Sequence, residues 1–192
     1  TSVADPVSNA QADYRVVANV TNTVDKEVAE IVSGVSKALF HGPTILCGYK
    51  DGSYVALETT KIENVYWVMK TSPASIINDA DTIMPYAHKN NQEGSFVIMA
   101  VEKYAGPKGD GKIIVTGETP YTGYQPLWSS TYYGVPLSGP TLVMNAIKWG
   151  AKVEAPPGFL DLYGLYIGIA VAVIVVAAGA VIYFRKRGKS SP

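Results

Sequence analysis

The sequence predicts an α/β protein with a mixed, mostly β sheet, one hairpin and few helices, followed by one C-terminal transmembrane helix. Three observations lead to this prediction. Short runs rich in Val, Ile, Tyr and Phe recur between turn residues, as expected for strands. Only two segments before the end of the chain repeat apolar residues at helical spacing. The last is an uncharged run of 23 residues, 162–184.

The first half of the chain predicts three strands, a short helix and a hairpin. The strands fall at 14–20, 37–40 and 65–69, and the helix falls at 25–33, where Val28, Ile31 and Val32 lie on one side. Asp51-Gly52, between the β-rich runs 44–49 and 54–58, is a strong hairpin signal. Residues 1–13 are expected to be irregular, and residues 74–94 are expected to form a loop.

The second half predicts an antiparallel strand pair and a helix. Strands 95–104 and 112–116 flank the Gly-rich turn 106–111. Because Ile113-Ile114-Val115 is entirely apolar, the second strand is expected to be covered on both faces. Residues 117–139 form a predicted long loop. Ser138 is placed to cap the following helix, with Pro140 in its first turn and Gly150 at its end.

The uncharged run 162–184 predicts a single membrane span. As a helix it would rise about 34 Å, enough for a hydrocarbon core of roughly 30 Å. The basic tail 185–192 is expected to be cytoplasmic, which places the predicted domain 1–155 outside the cell, joined by a Pro/Gly linker at 156–161. Small residues recur every fourth position in the span and form either a helix–helix contact or an ordinary lipid-facing stripe. They are Gly164, Gly168 and Ala172.

Composition narrows the possible partners. Four of the 16 basic residues lie in the tail, which leaves 12 against 16 acidic residues outside the membrane and no basic stripe for nucleic acid. Cys47 is the only cysteine, so the exported domain has no internal disulfide, which would suit an archaeal surface. The chain starts at Thr1 without a leader and is expected to be a processed product. Asn19-Val20-Thr21 is a glycosylation sequon, so Asn19 is a candidate modification site.

Catalytic and metal chemistry find little support. Cys47, His41 and His88 are the only candidates for a thiol–imidazole pair, and Cys47 leads into a hairpin rather than a nucleophile elbow. It is therefore interpreted as a small buried hydrophobe. Asp79, Asp81 and Glu93 either gather around a cation or are solvated loop charges, and the second interpretation is preferred. We predict no enzyme activity, no cofactor and no metal.

An aromatic cluster marks the candidate binding site. Five rings fall within 13 positions of the loop 117–139, among Gly, Pro and Ser residues: Tyr121, Tyr124, Trp128, Tyr132 and Tyr133. Rings with polar tips suit protein interfaces and carbohydrate stacking. The alternative is an ordered loop whose rings pack against each other.

The order of several segments resembles a known family. The segments are Asp5–Asn9, Ser33–Pro43, Gly94–Tyr104, Gly111–Glu118 and Thr141–Trp149. Together they resemble the C-terminal half of glutamine-amidotransferase-like domains of membrane-anchored archaeal and bacterial proteins. Relatives of that family occur in gliding-motility transporter accessory proteins and in one subunit of the eukaryotic oligosaccharyltransferase. Gly117-Glu118 fits the family's Gly-acid pair after the last strand.

The resemblance implies binding or assembly rather than catalysis, because the family usually does not act as an amidotransferase. The predicted function is a membrane-anchored binding subunit of a cell-envelope or membrane complex, or alternatively a glycan- or solute-binding accessory protein of a transporter or glycosylation machine. The family's parallel strand–helix–strand half has no counterpart here. A further polypeptide is therefore expected to cover the sheet: the N-terminal part of the same precursor, a separate subunit or a second copy. The remaining predicted partner is membrane lipid.

Overall fold

The centre of the fold in this computed structural model is an antiparallel sheet of five strands, in the order β10-β9-β6-β2-β3. The structure describes residues 1–78, 87–119 and 126–152. The elements in chain order are β1 (Val3–Ala4), β2 (Arg15–Val20), α1 (Lys26–Ala29), β3 (Lys37–His41), β4 (Cys47–Lys50), β5 (Ser53–Ala56), β6 (Val65–Lys70), β7 (Ser75–Ile77), β8 (Glu93–Gly94), β9 (Val97–Ala105), β10 (Gly111–Thr116), β11 (Thr131–Tyr132), β12 (Val135–Pro136) and α2 (Gly139–Ala151). The predicted mostly β architecture with few helices is confirmed.

The first compact unit of the chain runs from Thr1 to Glu154. Within the described ranges, no helix is long and apolar enough to cross a membrane. The predicted linker 156–161, the span 162–184 with its small residues Gly164, Gly168 and Ala172, and the tail 185–192 lie outside those ranges.

The hairpin predicted from Asp51-Gly52 is present as β4 and β5, which pair in antiparallel register. Asp51 has φ 50° and Gly52 has φ 83°, the two positive values that a type I′ turn requires. The turn twists the two strands in the sense that lets them pair, and the rings of Tyr49 and Tyr54 meet across them at 5.4 Å. The predicted strands 14–20, 37–40, 65–69, 95–104 and 112–116 correspond to β2, β3, β6, β9 and β10.

One face of the five-stranded sheet, here called the helix face, carries the main core. Strand residues such as Val16, Phe40 and Val101 pack there against Ile31 and Leu142 of the helical segments. Trp149, near the end of α2, is almost fully buried in the same cluster. Aromatic and branched side chains bury the most area per residue, so this layer supplies most of the hydrophobic stabilisation.

A buried ion network fixes α1 to the helix face. Asp25 caps α1 by accepting hydrogen bonds from the amides of Glu27 and Val28, both at 3.0 Å. The same carboxylate lies 3.2 Å from Lys103 Nζ on β9, and Glu27 lies 2.7 Å from that ammonium and 3.2 Å from Lys112 Nζ on β10. Lys112 Nζ also donates to Trp149 O at 3.3 Å. One network therefore joins α1, β9, β10 and α2.

The opposite face, here called the second face, is covered in two separate patches. Val17 and Leu39 pack beneath Leu137, which follows β12. Val97 and Ala100 pack with Leu57, and Ile62, Val65 and Trp67 lie against them. Residues alternate between the two faces along each strand, so Val16 and Val17 serve different cores. Between and beside the two patches, the second face stays accessible.

The N-terminal segment is ordered by one buried carboxylate, which the irregular prediction for residues 1–13 missed. Asp5 Oδ1 accepts from the Val7 amide at 3.0 Å and the Ser8 amide at 2.7 Å, and Oδ2 accepts from the Ser72 amide at 3.0 Å and Ser75 Oγ at 2.8 Å. Burial opposes ionisation of Asp5, but these hydrogen bonds outweigh it and lower its pKa. Asp5 thereby joins β1 to the segment that begins β7.

Three further element predictions are corrected. The loop predicted at 74–94 contains β7 and β8, which form a three-stranded sheet with β1. The loop predicted at 117–139 contains the hairpin β11–β12. Ser138 does precede α2, but its hydroxyl bonds to Ser36, with Oγ accepting from the Ser36 amide at 3.2 Å, rather than to the first turn of the helix.

Strand β10 is not covered on both faces, contrary to the prediction from its apolar run. Ile114 faces α2, where a Cβ on Gly150 would lie 3.4 Å from its Cδ1. Ile113 and Val115 point to the other side and are 44% and 47% exposed. The reason is topological: β10 is an edge strand beside a short hairpin, and the sequence pattern alone does not distinguish an edge from a centre.

Replacing Asp5 should destabilise the domain. We expect Asp5→Asn to lower the free energy of unfolding by about 3 kcal/mol. The amide has one acceptor oxygen in place of two, so its NH₂ group would face buried donors that now bind the second oxygen. The exposed Asp13→Asn is the matched control. Urea unfolding of both variants and the wild type measures the difference.

The same substitution should remove a pH dependence. Since the folded pKa of Asp5 lies below its ordinary value of 3.8, its contribution is complete above that pH and is lost as pH falls through the folded value. The gap between wild type and Asp5→Asn should therefore narrow in acid. A constant gap from pH 7 to pH 2 would contradict the assignment of the stabilisation to the ionised carboxylate.

Candidate functional site

The aromatic residues of the candidate site that the structure describes lie on two short elements within the predicted loop 117–139. Tyr132 belongs to the hairpin β11–β12, and Tyr133 and Gly134 form its turn with φ 46° and 79°. Trp128 ends a 3-10 turn, Pro126–Trp128, whose Leu127 is buried. Trp128 is 38% exposed and Tyr133 is 50% exposed. Tyr121 and Tyr124 lie outside the described residues.

The hairpin brings its two tyrosines onto Arg15 of β2. The rings of Tyr132 and Tyr133 meet edge to face at 4.8 Å. The guanidinium carbon of Arg15 lies 4.3 Å from the Tyr133 ring centre, 6.0 Å from that of Tyr132 and 5.1 Å from that of Tyr14. A cation over an aromatic face is attracted by the ring quadrupole. We call these four residues the tyrosine–arginine cluster.

The residues predicted from the sequence did not include Tyr14 and Arg15, which lie more than a hundred positions before Tyr132 and Tyr133. The alternation along β2 contains one signal, since it places Arg15 on the same face as Val17. Nothing in the sequence shows that Val17 lies beneath Leu137 and therefore next to the hairpin β11–β12. Tyr132 and Tyr133 pack on one another, as the rings of an ordered loop would, while Tyr133 and Trp128 remain exposed. Their binding role therefore stays a prediction.

Glu118, the acidic residue of the Gly-acid pair, is a buried carboxyl group. Its Oε2 accepts a hydrogen bond from the His41 amide at 2.5 Å, while its Oε1 has no hydrogen-bond partner among the described residues. Burial raises the pKa of Glu118 to about 8, against the smaller lowering effect of the His41 bond. The preceding Gly117 is required by packing, because a Cβ there would lie 1.9 Å from Thr44 O. Glu118 is thus mostly protonated at neutral pH.

The two histidines and Cys47, the candidates for a thiol–imidazole pair, lie in three different environments. His88 Nε2 lies 2.8 Å from Glu58 Oε2, and Glu58 Oε1 accepts from the Val97 amide at 2.6 Å. His41 instead meets the Tyr14 ring edge to face at 5.2 Å. Cys47 is exposed, so its interpretation as a buried hydrophobe is wrong. Its strand β4 lies in a surface hairpin rather than in the main sheet, which the local sequence does not reveal.

A groove runs between that hairpin and the edge of the main sheet. Its volume is about 280 Å³, and Cys47 and Glu102 lie in its wall. The aliphatic residues of the wall are Leu46, Leu57, Ile62, Val65, Ala100, Val101, Ile113 and Val115. The exposed side of the edge strand β10 is therefore continuous with an apolar recess. We call this surface the edge groove.

Metal ligation is not apparent within the described ranges. No group of three or more His, Cys, Asp or Glu side chains in those ranges is arranged to hold a metal ion. Glu93 lies exposed on β8, while Asp79 and Asp81 fall outside the described residues.

Comparisons with known proteins give no relative. No family model, no curated protein and no solved structure matches this chain. The resemblance to amidotransferase-like domains therefore stays a prediction. The edge groove, the tyrosine–arginine cluster and Glu118 are the features on which a function can be argued.

Glu118 should make stability fall as pH rises. Between its ordinary value of 4.5 and a folded pKa of about 8, the folded chain holds a proton that the unfolded chain has lost. The free energy of unfolding should fall by at most about 1.4 kcal/mol per pH unit in this window. Glu118→Gln should remove this slope, whereas the exposed Glu63→Gln should keep it.

Chemical denaturation at pH 5, 6.5 and 8 provides the measurement. The difference between Glu118→Gln and wild type should move in favour of the variant as pH rises. If the two proteins keep the same difference at every pH, Glu118 does not carry the proton assigned to it.

Proposed function

We propose that this domain is a non-catalytic, membrane-anchored binding subunit that assembles into a larger complex at the cell envelope. The observation that carries the proposal is the edge groove. Strand β10 pairs with β9 on one side, and no described strand pairs with its other side. Its two exposed side chains, Ile113 and Val115, are both apolar. An uncovered apolar edge is a ready template for another chain, and native proteins usually protect it.

The two edges of the sheet differ in a way that supports this proposal. At the other edge, Lys37 O of β3 accepts a hydrogen bond from the Ser138 amide, and the 3-10 turn at Pro126–Trp128 contacts the same strand. The chain therefore covers the β3 edge with its own segments. At β10, Lys112 is turned inward to Glu27 and presents no exposed charge that would repel an added strand. The β10 edge thus has the form of an interface.

Chemistry at the candidate nucleophile points away from catalysis. Desolvation by its neighbours raises the pKa of the Cys47 thiol, and the Glu58 carboxylate raises it further. A cysteine is a nucleophile as its thiolate, so a raised pKa makes Cys47 less reactive at neutral pH. Glu58 accepts a hydrogen bond from the Val97 amide and pairs with His88. His88 is therefore bound to the Glu58 carboxylate and not to the Cys47 thiol. The mainly apolar wall of the edge groove is suited to packing against another chain.

Charging the edge should dissociate the complex. We expect the full chain, extracted from its native membrane in mild detergent, to migrate as an assembly larger than one chain. The double variant Ile113→Lys, Val115→Lys should migrate as a single chain, since two desolvated ammonium groups oppose strand addition. Native gels and mass photometry measure the change.

The control for this experiment is Val7→Lys, which adds a charge at an exposed apolar residue away from β10. It should leave the assembly intact. Circular dichroism of each variant checks that the domain is still folded. A wild-type chain that is monomeric in the extract, or a charged edge that changes nothing, would contradict the proposal.

A second candidate function is glycan or solute binding, and the exposed rings of Tyr14, Tyr133 and Trp128 favour it. Under this alternative, Tyr133→Ala should weaken carbohydrate binding at least tenfold, the loss of about 1.4 kcal/mol of ring contact. Binding to a glycan array measures it, with the exposed Tyr54→Ala as control. No binding by the wild-type chain would remove this alternative and leave assembly unaffected.

A further inference from the structure

We propose that a glycan attached to Asn19 lies in the cavities beside Trp67 and covers the central part of the second face. This inference shares with the proposed function only the outward location of the domain. It concerns strands β2 and β6, which are separated from the β10 edge by strand β9. At about 4.8 Å between neighbouring strands, β2 lies roughly 14 Å from β10, so the attachment point at Asn19 is well away from the β10 edge. The two surfaces meet at Leu57, Ile62 and Val65, which line the edge groove and also one of the cavities beside Trp67.

Asn19 lies where the second face becomes accessible. Two positions earlier on the same face, Val17 is buried beneath Leu137, whereas Asn19 is exposed. Its partners across the sheet are Lys37 on β3 and Lys70 on β6. The acceptor amide therefore stands in a row of polar side chains within the sheet, and it is not at a loop tip. A glycan there begins above the sheet surface, beside the strands that flank β2.

The surface beside Asn19 is hollow. A cavity of about 380 Å³ is lined by Asn19, Trp67, Lys70, Pro73 and Ser95, among others. A second cavity of about 370 Å³ adjoins the first and is lined by Leu57, Ile62 and Trp67, among others. Thr21, Asn22 and Trp67 border both cavities. Each volume falls within the roughly 300–1,000 Å³ typical of ligand sites.

The chemistry of these walls suits a sugar. A pyranose ring has an apolar face of C–H groups and a polar rim of hydroxyls, so it packs on an aromatic ring while its rim seeks hydrogen bonds. Trp67 is half-buried and supplies the ring, with Lys70 Nζ 4.7 Å from its centre. Asn22, Lys70 and Ser95 supply polar groups around it. Amphipathic rings of this kind are favoured where one side is apolar and the other is wet.

The sequon also holds itself against Trp67. Thr21 Oγ1 donates to the Trp67 carbonyl oxygen at 2.6 Å, and the Thr21 amide donates to Val68 O at 3.0 Å. The third residue of the sequon is therefore attached to the strand that carries the ring. This fixes the distance between the acceptor and the ring and reduces the entropy lost when the first sugar packs on Trp67. The proposed occupant of the cavity is therefore the glycan that is covalently attached to Asn19 in its wall.

The test uses the full chain, produced in a eukaryotic secretory host and purified in detergent. Mass spectrometry should find Asn19 occupied. Trimming the glycan to its first N-acetylglucosamine should keep most of its effect, whereas Asn19→Gln should remove it. The glycosylated protein should unfold about 2–4 °C above Asn19→Gln, the shift expected for a modest contact in a chain of this size.

A double-mutant cycle assigns that shift to Trp67. The glycan should raise the unfolding midpoint of Tyr54→Leu, an exposed aromatic control on β5, as it does in the wild type. It should fail to do so in Trp67→Leu. An unoccupied Asn19, or an equal glycan effect in Trp67→Leu, would overturn the proposal.

Footprinting keeps the proposal falsifiable if Trp67→Leu does not fold. Hydroxyl radicals should oxidise Trp67 at least threefold faster in Asn19→Gln than in the glycosylated chain, while oxidation of Tyr54 stays the same. Equal oxidation of Trp67 in both proteins would show that the sugar does not lie on the ring.

Discussion

The network around Asp25 and Glu27 is the interaction on which the rest of the domain depends. A four-residue helix and its N-cap residue each carry one carboxylate. These reach ammonium groups on two neighbouring strands and, through Lys112, the end of α2. A buried ion pair is often no more stabilising than a pair of apolar side chains of the same size. Loss of only one partner, however, leaves an unpaired buried charge and costs about 3–5 kcal/mol. Burial lowers the pKa of Lys103, but the two carboxylates raise it by more, so Lys103 stays charged at every physiological pH. Helix α1 is too short to be stable alone, and the network holds it on the sheet.

Two buried acids in the same domain ionise in opposite ways, and their donors explain the difference. Asp5 receives four hydrogen bonds and remains a carboxylate with a lowered pKa. Glu118 receives one from the His41 amide and is held neutral, with a pKa of about 8. Desolvation acts on both groups, and the number of donors decides the outcome. Asp5 therefore stabilises the fold, whereas Glu118 opposes it above acidic pH. Strongly shifted pKa values are concentrated at functional sites. Glu118 lies three positions before Tyr121, the first residue of the predicted aromatic cluster.

The two faces of the sheet differ in how completely they are covered. The helix face supplies the continuous core, from Val16 to Trp149. The second face has only two small patches of cover, and the edge groove, the cavities beside Asn19 and the tyrosine–arginine cluster lie at the margins of these patches. An antiparallel sheet covered by helices on one face alone leaves its other face accessible to solvent. The proposed assembly edge and the proposed glycan site are neighbouring parts of that face, and both are lined by Leu57, Ile62 and Val65.

Local sequence was sufficient for much of the fold. Asp51-Gly52 determined a hairpin because few other residues accept two positive φ values, and alternation or apolar runs located the main strands within one to three residues. The positions of Asn19 and of the tyrosines were likewise visible, since a sequon and an aromatic cluster are local features. Only the tertiary structure decided that Ile113 and Val115 lie on an open edge, that Cys47 is exposed, and that Arg15 meets Tyr133. Edge position, burial and long-range contacts depend on which strands become neighbours, and that choice is made by packing across the whole chain rather than by any one segment.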